Sequence, residues 1–238
     1  MEQVPDLDAV VVPVGGGGLI SGIARAIKTQ RPEVALYGVE AAAVPSMQAA
    51  LDAGAPALIE AAPTLADGIA VRCVCTRTLE IVQRHVDQLV SVHEEEIAHA
   101  TLLLLEQEKT VAEGAGAVPL AAALQGSLPL SGKRVVLVVS GGNIDVNVLS
   151  RIIDRGLVQS GRCMQVSVLI PDVPGSLAKL LATIGGLRAN VLQAHHDRLS
   201  ARTALGLAAV ELVLETRGFD HIHEINSAIE QAGWIIND

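Results

Sequence analysis

Residues 9–18 read Ala-Val-Val-Val-Pro-Val-Gly-Gly-Gly-Gly, an apolar run that stops on four glycines. No other stretch restricts the fold as much. Six residues without a polar alternation make a strand, Ala9 to Val14, that must be hidden on both faces. Beyond the glycines, apolar residues recur at helical spacing from Leu19 to Thr29 (Leu19, Ile23, Ala26, Ile27), and Ala35 to Glu40 is strand-like again. The result is a βαβ unit, which requires parallel strands joined by a crossover helix.

Further elements repeat that theme. Val86 to Val92 and Arg134 to Val139 read as strands, the second as fully buried. Glu94 to Lys109 reads as a helix with Ile97, Thr101, Leu104 and Leu105 turned inward and acidic residues in its first turn. Gly116 to Leu124 and Asn143 to Asp154 read as two more helices. Buried strands separated by helices predict an α/β fold whose parallel sheet is covered on both faces.

The pattern changes at Arg155 to Cys163, which reads as a polar, glycine-containing linker. After it, Met164, Val166, Val168 and Ile170 alternate onto one face of a strand, and Asp172 to Gly175 turns the chain. Leu177, Leu180, Leu181 and Ile184 form a helical stripe, Asn190 to His196 and Leu207 to Glu215 are strands, and Ile222, Ile225 and Ile229 mark a second helix. Trp234 to Ile236 closes a βαββαβ order, the ferredoxin-like arrangement. Two domains are therefore expected, at 1–157 and 163–238.

Composition removes several partners. Tyr37, Phe219 and Trp234 are the only aromatic residues and the net charge is −9, so neither a base-stacking platform nor an attraction for nucleic acid or anionic membrane exists. Three cysteines do not make a disulfide framework and suit a reducing compartment. The uncharged stretch from Gly114 to Gly132 is divided by Pro119, Gln125, Ser127 and Pro129, which argues for a short buried helix and a loop, not a membrane span. The first residues show no basic and apolar leader, and a cytoplasmic location is expected.

Chemistry concentrates at two turns. Gly15, Gly16, Gly17 and Gly18, between a strand and a helix start, let backbone N–H groups converge on a phosphate. A dinucleotide fingerprint fails, because its sixth position is Ile20 or Ser21, and no Gly-Lys-Ser/Thr follows for a P-loop. The second turn is Ser140-Gly141-Gly142-Asn143 at the end of an apolar strand. Ligands of open parallel sheets sit at the carboxyl ends of strands, so Ser140 would face the same crevice as the glycines. A serine nucleophile would need glycine at 138, where Val138 stands, while a plain turn or helix-capping serine stays open.

With VVPVGGGGLISG at 11–22, LADGIAV at 65–71, EGAGA at 113–117 and VVSGGN at 138–143, the chain resembles the C-terminal part of the threonine dehydratases (threonine ammonia-lyases). These are fold-type II, tryptophan synthase β-like enzymes that use pyridoxal 5'-phosphate. The resemblance implies that the N–H groups of Gly15 to Gly18 take the cofactor phosphate and that Ser140, followed by Gly141, faces the pyridine nitrogen. It also implies that Glu113 lies near the ring and Gly68 lines the cleft. Threonine, with serine as a second substrate, would lose ammonia to give an oxo acid, and a homo-oligomer is expected. A non-catalytic amino-acid-binding module is the alternative.

The resemblance also implies a Schiff-base lysine in an upstream Ser-Phe-Lys-type motif. Lys28, Lys109, Lys133 and Lys179 do not match it, so the chain is expected to start partway through the parent enzyme and to be inactive alone. Glu40 matches the first carboxylate of a cation site in serine racemase-like relatives, but Ser46 replaces the aspartate six residues on, and no metal is expected. The C-terminal module resembles an ACT domain. Asp172, Pro174, Gly175 and Asn190 would border an amino-acid effector, or the module would serve dimerisation alone. His195, His196, His221 and His223 lack the geometry of a zinc cluster, and Glu94 to Glu96 read as a solvated helical turn.

Overall fold

The computed structural model describes residues 3–198 and 204–237. It divides into two compact units, 1–152 and 153–238.

In the first unit, strands β1 (Ala9–Pro13), β2 (Ala35–Ala41), β3 (Gln88–Val92) and β4 (Val135–Leu137) form one parallel sheet in the order β3-β2-β1-β4. Among the described residues, six α-helices lie along the chain between and after them: α1 (Gly18–Gln30), α2 (Ser46–Ala53), α3 (Thr76–His85), α4 (Glu94–Glu108), α5 (Gly114–Gln125) and α6 (Val146–Gln159), the last running past the boundary at 152. Alternate residues of the central strands feed two cores. Ala9, Val11, Tyr37 and Val39 pack with Ile97, Leu104 and Val118, while Val10, Val12 and Leu36 pack with Ile20, Met47 and Leu79 on the other face. A wholly buried Ile20 or Leu36 contributes about 1.5–3 kcal/mol.

Several expectations are corrected. The strand expected over 134–139 is only Val135–Leu137 and is half-buried, because it is the last strand of the sheet. The buried stripe of α1 is Ile20, Ala24 and Ile27, one position round from the apolar spacing that includes Leu19 and Ala26. The stretch from Gly114 is a short buried helix followed by a loop, as expected, with Pro119 inside α5 and not at a division. The helix expected from Asn143 begins at Val146 and runs through Gln159, so most of the polar 155–163 stretch is helix and strand. Helices α2 and α3 carry too few buried apolar residues to announce themselves.

The second unit contains β5 (Cys163–Pro171), α7 (Ser176–Gly186), β6 (Asn190–Asp197), β7 (Leu207–Glu215), α8 (Phe219–Gln231) and β8 (Ile235–Asn237). Its antiparallel sheet runs β6-β7-β5-β8, the ferredoxin-like order. Val166, Val168 and Ile170 form its core with Leu180, Ile184, Ile225 and Ile229, as the alternation predicts. His221 is a core histidine: its Nδ1 accepts from Arg217 N–H at 3.2 Å and its Nε2 lies 3.0 Å from Leu187 O.

Candidate active site

Register brings the two turns together. Strands β1 and β4 are adjacent and parallel, with Val11 opposite Leu137, and the Val138 N–H continues the ladder onto Val11 O at 3.0 Å. Ser140 and the glycine run therefore leave the same end of the sheet side by side. Between them lies a cavity of 220 Å³ whose lining includes Gly15, Gly16, Gly17, Gly18, Gly68, Glu113 and Ser140.

The glycines there have distinct reasons. Gly17 caps α1 with φ +83°, and a β-carbon on it would meet Met47 Cε at 2.5 Å and Thr78 Cβ at 3.0 Å. A β-carbon on Gly15 would fall 2.8 Å from Ile69 O, so backbone approaches backbone. Packing makes no such demand at Gly16, where a β-carbon would lie 3.7 Å from the Val71 side chain, or at Gly18, where one would enter open space. These two leave open space beside a helix N-terminus, whose first N–H groups have no intrahelical acceptor. Among the described residues no lysine or arginine lines this cavity, so an anion in it would depend on uncharged donors, chiefly backbone N–H groups. A phosphate fits such a cradle.

The opposite wall is built by residues 113–116. Glu113 caps α5; its N–H donates to Gly141 O at 3.0 Å and its Oε2 accepts from Asn143 N–H at 3.1 Å. A β-carbon on Gly114 would come within 2.5 Å of the Leu65 carbonyl carbon, and one on Gly116 within 2.8 Å of Gly141 O. The EGAGA spacing thus alternates residues that line the cavity, Glu113 and Ala115, with glycines that admit neighbouring backbone. Gly141 is absent from the lining. A β-carbon on it would sit 2.6 Å from Glu113 Cδ, so its bareness makes room for the carboxylate.

Residues that the sequence does not single out hold the wall in place. Glu94 is not a solvated residue: its Oε2 accepts from Leu65 N–H at 2.7 Å and its Oε1 is buried. Glu96 closes a capping box with His93. Glu40 is wholly buried at the end of β2 and accepts from the N–H groups of Met47 at 2.7 Å and Gln48 at 3.0 Å, capping α2. Burial raises its pKa to about 7, against the pull of those two bonds. Both its oxygens serve the backbone, and no group of three metal-ligating side chains occurs among the described residues.

In the second unit, Asp172 follows β5 and receives a two-pronged bond from Arg198 at 2.7 and 3.0 Å, which lowers its pKa. Gly175 caps α7 with φ +91°. Asn190 does not join them. It opens β6 opposite Glu215, which in turn faces Cys163 at the start of β5, so it lies at the other end of the sheet from the 172–175 turn.

None of the four lysines lines the cavity: Lys28 pairs with Asp87, Lys109 ends α4, Lys133 lies near Tyr37 and Lys179 is on α7. Among the described residues, no helix is long and apolar enough to cross a membrane.

Comparison with known proteins places this geometry. The family described as pyridoxal-phosphate dependent enzyme matches residues 1–141. L-threonine ammonia-lyase of Thermotoga maritima is 50% identical over 98% of this chain and 58% of its own length, and that of Geobacter sulfurreducens is 45% identical over 100% and 59%. The chain thus spans about three fifths of the length of these relatives. Among solved structures, the threonine deaminase of T.th. is 40% identical over 58% of this chain and 51% of its own, with a TM-score of 0.54. Maize serine racemase is 31% identical over 66% and 49%, with a TM-score of 0.59. On the strength of the family match and the cavity at the carboxyl end of its sheet, the chain belongs to the pyridoxal-phosphate dependent enzymes.

Proposed function

We propose that the chain is the phosphate-holding and ring-holding portion of a threonine ammonia-lyase, which converts L-threonine to 2-oxobutanoate and ammonia. One observation carries the reading: the four glycines and Ser140 line a single cavity. The similarity to L-threonine ammonia-lyases along nearly the whole chain supports it.

The backbone N–H groups of Gly15 to Gly18 bind the phosphate, with the start of α1 adding its dipole. Ser140 presents a neutral hydroxyl to the pyridine nitrogen. Glu113 lies beside the ring, fixed by Asn143 and Gly141, and Gly68 keeps the cleft wall thin. Pyridoxal phosphate, when bound, supplies an electron sink for the amino acid's α-carbon. A hydroxyl in place of a carboxylate at Ser140 keeps that sink moderate, which suits loss of a β-hydroxyl from threonine or serine. The amine that carries the cofactor is not among these four lysines.

The second unit reads as an ACT-like regulatory module, with Asp172, Pro174 and Gly175 at an amino-acid effector site in a cytoplasmic homo-oligomer. Asn190 would reach such a site only from a neighbouring module. A second reading, amino-acid binding without turnover, draws on the lysine-free cavity.

A chimera separates the two. The matching segment of the Thermotoga maritima enzyme is replaced by this chain, and 2-oxobutanoate release from threonine is measured. Turnover that falls at least tenfold with Ser140→Ala supports the lyase reading; a folded, cofactor-loaded chimera without turnover refutes it. For the chain alone, borohydride reduction with pyridoxal phosphate is expected to leave no site-specific pyridoxyl-lysine.

A further inference from the structure

We propose that the cleft between α1 and α3 is a binding site for a small, multiply charged anion, a phosphorylated or polycarboxylate metabolite. This cleft, of 280 Å³, is separate from the glycine cavity and is lined by Arg25 and Thr29 of α1 and Arg77, Glu80, Arg84 and His85 of α3, among others. Arg77 and Arg84 are seven residues apart, two helical turns, and so share one face of α3. Arg25 faces them from α1.

Charge makes this cluster unusual. The chain has 17 lysines and arginines against 26 acidic residues, and nearby cations are matched: Lys28 pairs with Asp87 and Arg31 with Glu33. Arg25, Arg77 and Arg84 make no ion pair among the described residues, although Glu80 lines the same cleft. Three guanidinium groups that line one cleft with a single carboxylate leave it a net positive charge, and an anion that bridges them offsets that charge. Guanidinium forks match phosphate and carboxylate oxygens in paired hydrogen bonds. The Thr29 hydroxyl donates to Arg25 O and leaves the arginines to do the recognition. A cleft of this volume admits a compact molecule, which favours a metabolite over an acidic polypeptide.

Isothermal titration of the 238-residue chain with inorganic pyrophosphate, and separately with citrate, tests this. At least one is expected to bind at one site, more weakly as potassium chloride rises. Arg77→Gln with Arg84→Gln should weaken it roughly tenfold or more, since charged hydrogen bonds contribute on that scale, and Lys179→Gln should not. Preference for pyrophosphate assigns a phosphate ligand, preference for citrate a polycarboxylate; either supports the site. Gly18→Asp puts a carboxylate at the glycine cradle, where a β-carbon has room, and should leave this binding unchanged. The proposal is overturned if neither anion binds, if the double variant binds as the parent does, if Gly18→Asp abolishes binding, or if only polyglutamate binds.

Discussion

Glu40 ties folding to pH in a direction opposite to that of most carboxylates. It is fully buried, and burial outweighs the two N–H bonds from Met47 and Gln48, so its folded pKa is about 7 against 4.5 when free. Between those values the folded chain keeps a proton that the unfolded chain has lost. The stabilisation is therefore fully present below pH 4.5, declines as pH rises, and is gone above about 7. The displacement corresponds to about 3 kcal/mol. Glu40→Gln removes the titration and keeps one acceptor for α2. Urea unfolding across this pH range, followed by circular dichroism, measures it; Trp234, the single tryptophan, reports the second unit separately. The stability of the parent relative to Glu40→Gln should fall by about 3 kcal/mol from acid to neutral pH. A flat difference would mean that the two N–H bonds offset burial, and one that rises with pH that they outweigh it; either would refute the reasoning.

Other expectations follow from single contacts. Gly114→Ala forces a β-carbon into the Leu65 backbone and should cost about 2–4 kcal/mol of thermal stability in the first unit, as overpacking against main chain does; Gly54→Ala, with open space but φ +67°, should cost less. Cys75 caps α3 with its sulfur 3.4 Å from Thr78 Oγ1, and that hydroxyl lowers its pKa, so a disulfide reagent should label Cys75 faster than Cys73, and Thr78→Val should narrow the gap. Equal rates would count against the Thr78 bond. Arg198→Ala frees Asp172, whose carboxylate should then titrate at a higher pH by NMR than in the parent.

How much of the fold and site is legible in the sequence follows from the range of each interaction. The βαβ unit, the parallel order and the convergence of Ser140 with the glycines can be read because strand burial and sheet register act through local periodicity. Edge position cannot: Val135 to Val139 is as apolar as Ala9 to Val14, yet nothing in an apolar run says whether a strand has one neighbour or two. Helix α3 escapes a periodicity search because only Leu79 and Val82 are buried, with polar residues elsewhere on its surface. Glu94 looks solvated in sequence because its partner, Leu65, is 29 residues away. Chain order groups Asn190 with the 172–175 turn, whereas β5 and β6 run the same way and set it at the far end. Glu40 invites weighing as a metal ligand, and the N–H groups that occupy it come from a helix the sequence does not reveal.

The most direct test is an amide NMR titration of this chain with pyridoxine 5'-phosphate, which carries the ring and phosphate but no aldehyde to react with lysines. Resonances of Gly15 to Gly18 and of Ser140 should move together at one ligand concentration, and pyridoxine without the phosphate should leave the glycines unmoved. Shifts confined to one of the two turns, or located only in residues 153–238, would contradict a single shared site.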